Sequence, residues 1–164
     1  MNKQLKEFTL TGLAAALVFV TTMYIKVPNS LGGYFNLGES MIMLFCSVLN
    51  PFHAFVVGGI GSALADVIGG YAQYAIPTLI IKGLEGVVIS ILFAKFGSKI
   101  KWTAYALAII IMVGGYFVTE WIMYGSAIVS LSAVPANIVQ GFAGAVIALI
   151  LLKRVQLLTE NYRK

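Results

Sequence analysis

The chain has 164 residues, 60% of them hydrophobic and only 10% charged, with a mean hydropathy of +0.93. Soluble domains carry about 25% charged residues, so this composition marks an integral membrane protein and leaves no room for a separate soluble catalytic or nucleotide-binding domain. The net charge of +5 does not signal a nucleic-acid partner: Lys3, Lys6, Lys95, Lys99, Lys101, Lys153, Arg154, Arg163 and Lys164 all flank apolar stretches, as cytoplasmic loops and lipid-headgroup contacts do.

At ~20 residues per spanning helix the length admits five to seven spans. Six are expected, at about 6–25, 37–49, 52–70, 74–96, 102–124 and 133–152, forming an all-α six-helix bundle within one membrane domain over 1–164. The basic start before an apolar run imitates a signal peptide. The run from Phe8 to Ile25 is longer than a signal core and lacks a small-x-small cleavage site, so it is retained as the first span. Thr11, Gly12, Ala15 and Ala16 form overlapping small-x-x-x-small pairs on it, a smooth strip for a neighbouring helix inside the bundle or for a partner subunit.

The next segment, KVPNSLGGYFNLGES, is too polar and too rich in Gly and Pro to span. It is expected to be an external loop with a sharp turn at Gly32 and Gly33, long enough to serve as a lid. Asn36 and Glu39 follow at the mouth of the second span, where Glu39 either favours the positive helix end or faces a pocket. Asn50-Pro51 turns the chain into the third span, which carries Gly58, Gly59, Gly61 and Ser62 before Asp66. A short aromatic turn from Tyr71 to Tyr74 leads to the fourth span, with Pro77 in its first turn. Lys82 and Glu85 lie three apart there and share a face, so Lys82 either neutralises Glu85 or meets a ligand.

Three lysines between Lys95 and Lys101 make that loop cytoplasmic. The fifth span ends near Glu120, Trp121 and Tyr124, and a polar connection from Gly125 to Ser132 precedes the sixth. That span opens with VPANIVQGFAG, in which Asn137, Gln140, Gly141 and Gly144 recur at helical spacing, and it ends on Lys153-Arg154 with a short charged tail. Basic residues therefore collect on one side, whereas the opposite loops carry only Lys26, so both termini are expected to be cytoplasmic.

In that orientation Glu39, Asp66, Glu120, Asn137 and Gln140 fall in the outer halves of their helices, Lys82 lies near the midplane, and Tyr71, Tyr74, Tyr116, Trp121 and Tyr124 sit at similar depth. Ionisable groups facing lipid cost from ~3 kcal/mol upward and usually face a wet cavity instead. These groups point to an outward-opening hollow for a small, polar, ring-containing guest. Its candidate lining is Asn36, Glu39, Asp66, Tyr71, Tyr74, Lys82, Glu85, Glu120, Tyr124, Asn137 and Gln140. Taken singly, the aromatic rings also fit an interfacial belt. The single cysteine, Cys46, and single histidine, His53, give no disulfide and no metal cluster, and no cofactor or catalytic constellation is evident.

The NLGES, SALAD and TLIIKG stretches, the NIVQG start of the sixth span and the small strip on the first span together resemble the substrate-binding S component of energy-coupling factor (ECF) vitamin transporters, over nearly the whole chain. The likeness is greatest to the branch that carries hydroxymethylpyrimidine or pyridoxine; other branches take riboflavin, pantothenate, thiamine, folate or cobalamin. The resemblance implies a prokaryotic cell-membrane protein that captures a vitamin outside and delivers it inward with a membrane T component and two ATPase subunits. It further implies that Thr11, Gly12, Ala15 and Ala16 correspond to the family's alanine motif for T-component contact, with Gly12 replacing a frequent alanine. No GxxxxGK[ST] loop is present, so ATP hydrolysis is expected in the partners. The alternative from another class is a stand-alone proton-coupled transporter using Asp66, Glu85 or Glu120, against which the lack of evident internal repeats counts. A small membrane enzyme ranks last.

Overall fold

In the computed structural model, which describes residues 2–28 and 34–163, Asn2 starts helix α1 (Lys3–Tyr24) by accepting a hydrogen bond from the Leu5 amide at 2.8 Å. At 1.5 Å per residue its 22 residues extend about 33 Å, enough to cross a bilayer core. Proline then favours extended backbone, and β1 (Lys26–Pro28) pairs antiparallel with β2 (Tyr34–Asn36) in the register Lys26 to Asn36, Val27 to Phe35 and Pro28 to Tyr34. The expected irregular loop is therefore a small hairpin at its base. Its expected turn at Gly32 and Gly33 lies outside the described residues.

The Asn36 side chain accepts from the Gly38 amide at 2.9 Å and opens α2 (Gly38–Cys46). With nine residues, about 14 Å, α2 is too short to cross a membrane alone. It is buried almost throughout and wedged among α1 and the later helices. Asn50 caps α3 (Pro51–Phe55) by accepting from the His53 amide at 3.1 Å, with Pro51 at the first helical position. A π-helical turn, Val56–Ile60, joins α3 to α4 (Gly61–Ile68), and the three pieces form one rod over Pro51–Ile68. The glycines in this turn let two rods touch backbone to backbone. A Cβ on Gly58 would collide with the Lys82 carbonyl, and one on Gly59 with the Leu79 carbonyl.

Gly70, at φ +85°, closes the rod. A 3₁₀ turn (Ala72–Tyr74) enters α5 (Ala75–Phe96), and a second (Gly97–Ile100) turns the chain into α6 (Lys101–Tyr124), which packs against α5. Gly125, at φ +67°, ends α6. The expected polar connection contains a short helix, α7 (Ala127–Leu131), capped by Ser126. Helix α8 (Val134–Arg163) runs eleven residues beyond the expected end at Leu152. Lys153 and Arg154 are exposed yet do not stop it, because basic residues mark a membrane boundary without breaking a helix, and Gln156 bonds the Ser98 hydroxyl at 2.8 Å.

Four stretches are long and apolar enough to cross a membrane among the described residues: Gln4–Tyr24, Pro51–Ile68, Ala72–Tyr124 and Ala127–Glu160. The third contains both α5 and α6, giving five membrane-capable helices around the short α2. The core lies where α2 meets the others, with Val18, Ile42, Met43, Cys46, Ile89, Tyr105 and Ala148 buried together. Of the small residues on α1, Thr11 is buried, Ala15 half-buried, and Gly12 and Ala16 exposed. Placing a methyl group between the touching rods, by Gly58→Ala, should lower stability by about 1–3 kcal/mol. Gly12→Ala, with nothing within 4 Å of the new carbon, should leave it unchanged or raise it. Thermal melting in detergent by circular dichroism checks the pair; equal melting would refute the close approach.

Candidate functional site

The site is built on a charge that could not stand alone. Lys82, 3% exposed, extends from α5 between Glu39 of α2 and Glu85 of its own helix, both fully buried. Its ammonium donates to Glu39 Oε2 and, at 3.1 Å, to Glu85 Oε2. The Lys82–Glu85 half follows from three-residue helical spacing. The Glu39 half is tertiary and replaces the expected choice between a helix-end charge and a pocket wall. Gly144 on α8 leaves the room Glu39 occupies, since a Cβ there would strike the Glu39 side chain. Two carboxylates share one cation, and the assembly ties α2 to α5.

Beside this triad opens a cavity of about 490 Å³, counted with its mouth. Its walls come from Thr22 of α1, Tyr34 and Asn36 of β2, and Ser62 and Asp66 of α4. Tyr74 of the 3₁₀ turn before α5, Thr78 and Lys82 of α5, Tyr116 and Glu120 of α6, and Asn137 and Gln140 of α8 complete them. Strand β2 covers one side through two ties: the Tyr34 hydroxyl donates to Asp66 Oδ1 at 2.6 Å, and the Asn36 amide donates to Gln140 Oε1 at 2.8 Å. Burial, reinforced by the neighbouring Asp66 carboxylate, pushes the Tyr34 phenol up, so it stays protonated and donates. On the rim the Tyr34 and Tyr71 rings lie 4.5 Å apart, and the Lys26 ammonium sits 5.2 and 4.9 Å from their centres.

The structure thus brings seven of the eleven sequence-predicted residues to one hollow: Asn36, Asp66, Tyr74, Lys82, Glu120, Asn137 and Gln140. The other four do not line it. Glu39 and Glu85 grip Lys82 behind the wall, Tyr71 packs at a tilt against Tyr34 on the rim, and the Tyr124 hydroxyl bonds that of Tyr74 at 3.0 Å. Trp121, expected at the same depth, is half-exposed and faces outward. Thr22, Tyr34, Ser62 and Thr78 line the cavity without having been singled out as ligand-facing, and Tyr116, expected at the same depth but outside the candidate lining, joins them. Three of them carry a readable signal: Ser62, Thr78 and Tyr116 each stand four residues, one helical turn, before Asp66, Lys82 and Glu120. Among the described residues no three His, Cys, Asp or Glu side chains gather to hold a metal ion.

Comparison with known proteins adds to this geometry. A family model described as the S component of the ECF-type riboflavin transporter matches residues 2–157. The chain is 32% identical over 154 residues to the thiamine precursor transporter HmpT of Lactococcus lactis subsp. cremoris (strain MG1363), covering 92% of this chain and 87% of that one. It is 42% identical over 113 residues to an uncharacterized protein of Pyrococcus woesei, with 66% and 74% covered.

Removing the cation from the triad, by Lys82→Met, leaves buried carboxylates unpaired and should cost about 3–5 kcal/mol. Glu85→Gln keeps the Lys82–Glu39 pair and should cost less. Thermal melting of both variants checks that order; a Lys82→Met protein as stable as Glu85→Gln would show that the triad does not organise the bundle.

Proposed function

The chain belongs to the ECF-type riboflavin transporter S-component family, and from that premise we propose that it is the vitamin-binding subunit of a prokaryotic ECF importer. It captures a small ring-containing vitamin outside the cell and delivers it inward with a T component and two ATPase subunits. The observation that carries this reading is the polar cavity at the hairpin end of the bundle, lined from five helices and covered by β2. Asn36, Asp66, Tyr74, Lys82, Glu120, Asn137 and Gln140 contact the ligand in it. Tyr34 and Asn36 belong to the lid.

Hydroxymethylpyrimidine or pyridoxine is the favoured cargo. Similarity to a thiamine precursor transporter supports the first. Six spans, with α2 as the short sixth, place both termini in the cytoplasm. The clustering of Lys95, Lys99, Lys101, Lys153 and Arg154 away from Lys26 supports that orientation.

The T component docks on the outer face of α1. There Gly12, Ala15, Ala16 and Phe19 of α1 and Ile60, Leu64 and Ile68 of the rod line an apolar groove. Thr11 supports the helix from inside, its hydroxyl bonding the Glu7 carbonyl at 2.7 Å.

The purified chain should bind a vitamin by calorimetry with no ATP present, and proteoliposome uptake should require added T and ATPase subunits. Uptake by the chain alone under a proton gradient would establish the stand-alone transporter instead. Gly12→Leu fills open space and should keep ligand affinity while reducing co-purification with the T component; undiminished assembly would take the docking surface off α1.

A further inference from the structure

The end of the bundle opposite the hairpin carries charge that the cavity does not use. Helix α5 leads away from the hollow for 22 residues, about 33 Å, before the chain turns at Gly97–Ile100. Lys95, Lys99 and Lys101 surround that turn, and Lys153 and Arg154 lie on α8; Lys101 is half-buried and the other four are exposed. No Asp or Glu occurs from 86 to 119 or from 121 to 159. Among the described residues none of these five cations forms an ion pair. The carboxylates of that end, Glu7 and Glu160, line a cleft between α1, α5 and α8, and Glu160 stands seven residues, about two turns, beyond Lys153.

One hydrogen bond brings the two groups of cations to the same level. Ser98 and Gln156 are 58 positions apart, and the Gln156 amide donates to the Ser98 hydroxyl at 2.8 Å. Lys99 adjoins Ser98, and Lys153 precedes Gln156 by three residues on the same side of α8, so the turn and the helix present ammonium groups to a shared notch. Its surroundings are apolar and open. Phe96 and Trp102 are 47% and 68% exposed, and the Lys95 ammonium sits 5.2 Å from the Phe96 ring centre. Further toward the middle of the bundle, Leu107 and Ile110 of α6 and Val146 and Ile150 of α8 are exposed, on two helices that pack together. A tryptophan beside unpaired cations, with apolar helix faces leading away, is the pattern of a membrane–water boundary.

We infer that this notch binds the headgroup of an anionic phospholipid. The phosphate meets Lys99 and Lys153, with Lys95, Lys101 and Arg154 adding to the positive field, and the acyl chains lie along the exposed faces of α6 and α8. A zwitterionic headgroup brings its own cation to the same place and gains less. An even scatter of lysines along the boundary would attract anionic lipid without preferring one spot. Here two elements locked by the Ser98–Gln156 bond concentrate the charge, so binding depends on particular side chains. The inference requires only that the chain lies in a membrane, and it is independent of the cargo in the cavity.

The chain has two tryptophans, Trp102 at the notch and Trp121 near the other end of α6, so each can report alone. The test is fluorescence quenching of the full chain, carrying Trp121→Phe, in phosphatidylcholine vesicles. The probes are phosphatidylglycerol and phosphatidylcholine with brominated acyl chains. The anionic lipid should quench Trp102 with an association constant about threefold or more above that of the zwitterionic one, and Trp121, read in Trp102→Phe, should show no such preference. Lys99→Gln with Lys153→Gln should abolish the preference. Lys99→Arg with Lys153→Arg should keep it, and so should Lys6→Gln, which removes a cation from α1 instead. Inorganic phosphate should not reverse the quenching. Equal quenching by the two lipids, an equal preference at Trp121, or a preference that survives the glutamine pair would overturn the notch. Loss of the preference in the arginine pair would overturn its reading as a charge effect, and displacement by phosphate would replace the lipid with a free anion.

Discussion

A lysine buried between two glutamates is the constraint on which this architecture depends. The desolvation cost of three ionisable groups is offset only while they remain together. Holding them together requires α2 to keep Glu39 at the Lys82 ammonium and α5 to present Lys82 and Glu85 on one face. Helix α2 has only nine residues, too few to be stable as an isolated helix. Its place is held by burial on every side and by this charge contact. The rest follows as accommodation. Gly144 makes room beside Glu39, and Gly58 brings the rod against the Lys82 carbonyl. The result is a firm wall on which the softer, hydrogen-bonded half of the cavity is assembled.

Much of that cavity could be read from the chain because ionisable residues in a greasy sequence have few destinations. Asp66, Lys82 and Glu120 stood out for that reason, and all three reach the hollow. What the sequence hid was long-range. Glu39 and Lys82 are 43 positions apart, so local spacing could suggest Glu85 as a partner but not the second carboxylate. The lining hydroxyls of Ser62 and Thr78 were hidden differently, by chemistry too ordinary to attract notice, although the one-turn offset from each charged residue was there to be used. The spans were legible from hydropathy, but their ends were not. Lys153 and Arg154 marked where apolar character stops while the helix went on, and three-residue strands are too short to show an alternating pattern.

The covering strand and the walls of the cavity are one hydrogen-bonded system. Tyr34 engages one oxygen of Asp66 and leaves the other to the hollow, and Asn36 both opens α2 and binds Gln140 across the mouth. Breaking the two ties of β2 would therefore free a carboxylate oxygen on α4 and an amide oxygen on α8 together. The Lys26 ammonium, beside both the Tyr34 and Tyr71 rings, adds a contact at the outer edge of the same assembly.

The π turn at Val56–Ile60 has a geometric outcome of its own. Such a turn holds one residue more than its α-helical neighbours, and one residue corresponds to about 100° of rotation about the axis. Ser62 and Asp66 lie just downstream, so the direction they face is a matter of phase, set by how many residues precede them. A chain lacking one residue in that turn could retain every polar side chain of the wall and still swing that arc out of the hollow. A single gap in an alignment at this point would then count for more than several substitutions elsewhere.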